Sequence, residues 1–82
     1  ISLGGLEFYS EEAVKTGTML KISLFFMDTE GNELSENLKG EVRWFAPFRE
    51  SFIAGVQFSE IVSKENYPRL FDYIKKSEEY FN

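Results

Sequence analysis

The sequence contains no cysteine and no histidine. These absences exclude disulfides, thiolate nucleophiles, most zinc sites and every catalytic arrangement built on a Ser–His or Cys–His pair. No apolar run approaches the ~20 residues of a membrane-spanning helix, and the longest is Leu24 to Met27. No signal peptide is visible. The missing cysteines fit a reducing compartment, so we expect a cytoplasmic location.

Basic residues are scarce as well. Nine Lys and Arg stand against 14 Asp and Glu, which gives a net charge of −5. Proteins that bind DNA or RNA polymers normally present a basic face, and here only Lys75 and Lys76 are adjacent. We therefore expect no nucleic-acid polymer as a partner. A small anionic ligand is not excluded, because a few cations and backbone amides can hold one phosphate.

Apolar and aromatic residues are plentiful for so short a chain. Hydrophobic residues make up 43% of the 82 residues, and 9 Phe, 4 Tyr and 1 Trp are among them. This composition predicts one folded core and a single domain over residues 1–82. The chain begins at Ile1, without Met and inside an apparent motif, so we expect the natural protein to extend further toward its N-terminus.

Alternating apolar residues predict four strands, at about residues 5–9, 18–27, 38–46 and 51–59. In the third, Leu38, Val42 and Trp44 fall on one face together with Gly40. The polar cluster at 28–33 is typical of a turn, and its Gly-Asn pair suits positive φ. Short polar connections favour antiparallel pairing of consecutive strands.

Helical spacing replaces strand alternation near the C-terminus and predicts a helix over about residues 64–80. Ser63 or Asn66 can cap it, and Pro68 argues for a start near Asn66. Four strands are too few for a small closed barrel. Either further strands precede Ile1, or the open sheet edge pairs with another chain.

The order of several short motifs resembles the PilZ family. Residues 1–6, Ile-Ser-Leu-Gly-Gly-Leu, resemble its Asp/Asn-x-Ser-x-x-Gly signature, with Ser2 and Gly5 as the motif residues. Residues 40–44 resemble a Gly-x-Val-x-Trp strand, residues 55–58 a Gly-Val-x-Phe strand, and Gly17 a turn glycine. The resemblance implies a mainly β fold: a six-stranded antiparallel β-barrel, partial in this chain, with a C-terminal α-helix. It also implies a binding domain for cyclic di-GMP and not an enzyme.

The family's Arg-x-x-x-Arg motif and first two strands are not among these residues, and that motif supplies the main grip on the ligand. The remaining candidates for ligand contact are Ser2, Gly4, Gly5, Arg43 and Trp44. Each has a structural alternative: Ser2 as a turn residue, Gly5 as a bend in a strand and Gly4 as a conformational glycine. For Trp44 we favour a core position aligned with Val42. Arg43 should then point the opposite way, beside Glu41.

The sequence leaves two functions open within this family. The first is a cyclic di-GMP receptor that transmits binding to an adjacent domain or to a signalling, pilus or flagellar protein. The alternative is a degenerate interaction module that does not bind the nucleotide. Phe25, Met27 and Ile53, opposite the main apolar stripe, would suit a partner surface, as would Tyr80 and Phe81. An unrelated β-domain and a homo-oligomer are further alternatives. No metal or cofactor is expected, because the neighbouring acidic residues at 11–12, 28–30 and 78–79 lie in turns or at a chain end and are interpreted as solvated charge.

Overall fold

The computed structural model describes residues 1–81, and the side chains of residues 1–79. Its elements are β1 (Gly5–Ser10), β2 (Met19–Met27), β3 (Glu33–Phe48), β4 (Ser51–Phe58) and α1 (Pro68–Phe81). Four strands and a helix are therefore confirmed, with two corrections to their bounds. β3 begins at Glu33, well before residue 38, and α1 begins at Pro68, a residue whose fixed φ suits a first helical position.

The sheet is antiparallel throughout, with the strand order β1-β4-β3-β2. Pairing of consecutive strands is confirmed for β2–β3 and for β3–β4. The prediction is wrong for β1, which pairs with β4 and not with β2. The connection from β1 to β2 instead packs Val14 against the buried cluster of Val42, Ala54 and Val56. Gly17, at φ 93°, then donates its N–H to the Val42 carbonyl at 2.7 Å.

The described residues form an open half-barrel of four strands, so the six-stranded barrel is not observed. β1 and β2 are the two edges. The β2–β3 turn contains Gly31 at φ 83°, as its sequence predicted. Asp28 organises this turn, because its carboxylate accepts hydrogen bonds from the backbone N–H groups of Glu30 and Asn32, both at 2.9 Å. The side-chain amide of Asn32 adds a third bond at 3.0 Å and, as the largest cause, holds the pKa of Asp28 below its ordinary value.

One face of the sheet, here called the inner face, holds the core. Near the β2–β3 turn, Leu70 and Ile74 of α1 are buried against an apolar cluster that includes Phe26, Leu38 and Phe58. The helical spacing of these two side chains is thus confirmed. Further along the sheet, Val42, Ala54 and Val56 form a second buried cluster. Fully burying a Val, Leu or Ile side chain stabilises the fold by about 1.5–3 kcal/mol.

In the described residues no helix has both the length and the apolar character that crossing a lipid bilayer requires.

Ser63 and Asn66 together fix the start of α1 through hydrogen bonds to each other. Ser63 donates its backbone N–H and its hydroxyl to Asn66 Oδ1 at 2.8 and 3.0 Å. Both predicted caps therefore hold the turn that precedes Pro68.

Candidate functional site

A β-bulge in β3 decides which side of the sheet Arg43 and Trp44 face. Val42 pairs with Val56, but the next residue of β4, Gly55, pairs with Trp44, so Arg43 is an extra residue without a partner in β4. A bulge of this kind reverses the alternation of the strand beyond it. Val42 is completely buried on the inner face, whereas Trp44 is 42% exposed. Trp44 therefore lies on the opposite, outer face.

Two predictions about this strand are corrected by the bulge. Trp44 is not a core residue aligned with Val42. Arg43 does not point away from Trp44, because both side chains line one depression on the outer face. The predicted proximity of Arg43 to Glu41 is confirmed by an ion pair between Arg43 Nη1 and Glu41 Oε2 at 3.3 Å. Both side chains are well exposed, so this ion pair contributes little stability.

The indole of Trp44 lies directly over Gly55. A Cβ atom at position 55 would collide with Nε1 and Cε2 of the indole and would lie 2.8 Å from its Cδ1. Only a glycine leaves room for the ring to rest against the backbone of β4. The ring thereby covers Gly55, which is buried, while part of the indole remains open to solvent.

The first five residues run beside the end of β4. The carbonyl of Gly4 accepts the Phe58 N–H at 2.8 Å, and that of Leu3 accepts the Val62 N–H at 2.9 Å. Ser2 donates its backbone N–H to the Gly5 carbonyl at 2.8 Å, and its hydroxyl lies 3.4 Å from the same oxygen. Ser2 is thus a turn residue in this structure, as its structural alternative predicted.

Gly4 and Gly5 differ in whether the structure has room for a side chain at their positions. At Gly5 a Cβ atom would collide with the Val56 carbonyl oxygen and approach Gln57 Cα to 3.3 Å, so a close approach of two backbones requires the glycine. At Gly4 a Cβ atom would meet nothing within 4 Å, and φ is not positive. Gly5 therefore has a structural role, which is a close backbone approach and not the predicted bend, whereas the conformational role predicted for Gly4 is not observed.

One open depression of about 660 Å³ on the outer face contains all five predicted residues. We call it the outer-face depression. It is lined by Ser2, Gly4 and Gly5 from the first segment, by Arg43 and Trp44 from the bulge, and by residues of β1 and β4. Glu7, Tyr9, Ile53 and Gln57 also line it and were not among the predicted site residues. The pairing of β1 with β4, which brings them here, has no local signal in the sequence.

Residues suggested for a partner surface do not form one surface. Phe25 is 81% exposed and Met27 56% exposed, and both lie near the β2–β3 turn. Ile53 pairs with Ala46 near the other end of β3. The side chains of Tyr80 and Phe81 lie outside the described residues. A second depression, of about 590 Å³, lies between the β2–β3 turn and α1 and contains none of the predicted site residues.

The family model described as PilZ domain matches residues 1–76 of the chain. No curated protein and no solved structure was found to match. The matched range includes every strand, the outer-face depression and the buried half of α1. Because the match extends over nearly the whole sequence, the chain belongs to the PilZ domain family.

Proposed function

We propose that this protein is a cyclic di-GMP receptor domain and that the outer-face depression is its part of the ligand site. PilZ domains are binding and regulatory modules and not enzymes. The observation that supports the proposal most strongly is the convergence of three separate segments. The Ser2-to-Gly5 motif, the bulge of β3 and the Gly55 region of β4 all line one depression.

Within the part of the chain that the structure describes, Arg43 is the only cationic side chain that lines the depression. Its planar guanidinium can donate two parallel hydrogen bonds to one phosphate group. The ion pair with Glu41 does not oppose this role, because it is solvent-exposed and breaking it costs little free energy. In the proposed complex, Arg43 exchanges the Glu41 carboxylate for a phosphate of cyclic di-GMP.

Trp44 supplies an aromatic surface for a guanine. Stacking of a base on an aromatic side chain contributes about 1–3 kcal/mol. Gly55 fixes the ring against the backbone and leaves the remaining part of the indole uncovered. The ring is therefore already positioned before the ligand arrives, which reduces the entropy lost on binding.

Ser2 and Gly4 supply the small residues that a phosphate needs in order to approach a backbone. Gly4 is exposed and has open space where a side chain would lie. The hydroxyl of Ser2 is only weakly held at 3.4 Å and can turn toward a phosphate oxygen. These features favour contact between the ligand and the first segment of the chain.

Binding at the first segment suggests how the signal leaves the domain. A ligand held by Ser2 and Gly4 would fix the direction in which the polypeptide enters β1. An adjacent domain, or a signalling, pilus or flagellar protein, would then sense that direction. Cyclic di-GMP is an intracellular messenger, so we place this receptor in the cytoplasm.

Calorimetric titration of cyclic di-GMP into the full natural chain tests the proposal. We expect saturable binding with a Kd at or below about 1 μM, or roughly −8 kcal/mol. Arg43→Ala should weaken it by about 1.5–3 kcal/mol, the contribution of a charge-assisted hydrogen bond. Arg69→Ala, an equal charge change on α1 outside the depression, serves as the control. A folded chain that gives no binding would refute the proposal and favour the degenerate interaction module.

A further inference from the structure

Among the described residues, Glu7 is the only acidic one whose side chain lines the outer-face depression. It is exposed and lies directly opposite Gly55 in the pairing of β1 with β4. On its other side, Gly55 is opposite Trp44. Glu7, Gly55 and Trp44 therefore form one row across three strands, and the Cα atoms of the outer two are about 10 Å apart at the usual strand spacing.

The distance from Glu7 to the indole ring is shorter than the distance between the Cα atoms of Glu7 and Trp44. The indole leans from β3 over Gly55, in the direction of β1. A planar base stacked on this ring would turn one edge toward β1. A glutamate side chain extends far enough from its Cα to reach that edge, since no side chain at position 55 stands between them.

A carboxylate is an unexpected neighbour for a ligand with two phosphates. It repels them, and when ionised it can only accept hydrogen bonds. Among the described side chains, Glu7 takes part in no ion pair and no side-chain hydrogen bond. Glu7 is therefore free to accept from a ligand group that carries two adjacent N–H donors.

The bases differ in this property. The Watson–Crick edge of guanine presents the N1–H and the 2-amino group side by side, and a carboxylate accepts from both. At the same position adenine presents the unprotonated N1, an acceptor that a carboxylate repels. Gln57, in the neighbouring row, does not discriminate in this way, because its amide both donates and accepts.

This reasoning rests on the proposed function and extends it. We propose that Glu7 is the specificity-determining residue of the site: it accepts hydrogen bonds from the Watson–Crick edge of the guanine stacked on Trp44 and thereby selects guanine over adenine.

The test compares three ligands on the full natural chain by calorimetry: cyclic di-GMP, cyclic di-IMP, which lacks the 2-amino group, and cyclic di-AMP. The native protein should bind them with decreasing affinity in that order. In Glu7→Gln, affinity for cyclic di-GMP should fall about tenfold or more, the usual value of a bidentate base contact. The difference between cyclic di-GMP and cyclic di-IMP should largely disappear. Glu33→Gln, the same charge change at the far end of β3, should match the native protein.

The outcomes separate this inference from the proposed function. Failure of the native protein to bind cyclic di-GMP refutes the proposed function, and the role of Glu7 with it. If the native protein binds cyclic di-GMP and Glu7→Gln keeps the same ratios of affinity among the three ligands, only the role of Glu7 is refuted. A uniform gain for all three ligands would also refute it, because that is the result of removing a repulsive charge. Circular dichroism confirms the fold of each variant.

Discussion

Substitutions at the adjacent residues Gly4 and Gly5 should affect different properties: Gly5 is needed for folding, and Gly4 for the proposed ligand binding. We expect Gly4→Ala to leave the free energy of unfolding within about 0.5 kcal/mol of the native value, the usual range for an exposed position. An added Cβ there meets no atom within 4 Å, and the backbone is not in the left-handed region. The new methyl group would nevertheless stand in the outer-face depression.

Gly5→Ala should behave in the opposite way. Its Cβ would collide with the Val56 carbonyl oxygen and lie 3.1 Å from the Val56 carbonyl carbon. These are backbone atoms, so β1 must move away from β4, the strand with which it pairs in the described structure. Overpacking of this kind costs about 1–3 kcal/mol. A domain of this size has a total stability of about 4–12 kcal/mol, so the loss is a substantial fraction.

Urea unfolding followed by circular dichroism gives both stabilities, and calorimetry with cyclic di-GMP gives the affinity. Gly4→Ala should retain the native urea midpoint and lose at least tenfold in affinity. Equal destabilisation by the two substitutions would show that Gly4 is a conformational residue after all. Native affinity in a stable Gly4→Ala protein would show that the ligand does not approach this backbone.

Three further predictions concern other parts of the fold. Val42→Ala, at a completely buried position, should lower the free energy of unfolding by about 2 kcal/mol, measured by urea unfolding, through lost burial and a residual cavity; an unchanged midpoint would contradict the packing described. Gly55→Ala should displace the indole of Trp44 and change its fluorescence emission, which is unambiguous because the chain has one tryptophan; an unchanged spectrum would show that the ring does not rest on Gly55. Asp28→Ala should destabilise the protein near neutral pH and progressively less in acid. The depressed pKa of the folded Asp28 means that its stabilisation is present above the unfolded pKa of about 3.9 and is lost as pH falls through the lower folded value; a difference in urea midpoint that stays constant from pH 7 to about pH 2 would contradict this.

Local patterns in the sequence were sufficient to predict the elements of the fold. Alternating apolar residues located four strands, and helical spacing located α1 with its buried Leu70 and Ile74. The start of β3 was missed because Glu33 to Asn37 is mostly polar and continues a turn-like cluster. Its apolar residue, Leu34, becomes recognisable as a strand residue only through its pairing with Phe26.

Pairings between distant segments could not be predicted in the same way. The bulge at Arg43 has no distinct composition, since it is set by how β3 aligns with β4. One extra residue moved Trp44 from the expected core to the outer face. The pairing of β1 with β4 likewise placed Glu7 and Gln57 in the outer-face depression. The sequence therefore named the motif residues that line the outer-face depression, but not the neighbours that line it with them.

The strand order also determines when the outer-face depression can form during folding. β2, β3 and β4 are joined by tight turns and can assemble as two successive hairpins. β1 must wait, because Gly5 pairs with Gln57, and closing a loop of roughly fifty residues is entropically slow. On the ribosome β1 is synthesised before β2, β3 and β4 but finds its partner only after β4 has emerged. The outer-face depression forms once that last pairing is made, so nascent and partly folded chains lack the surface on which the proposed ligand would bind.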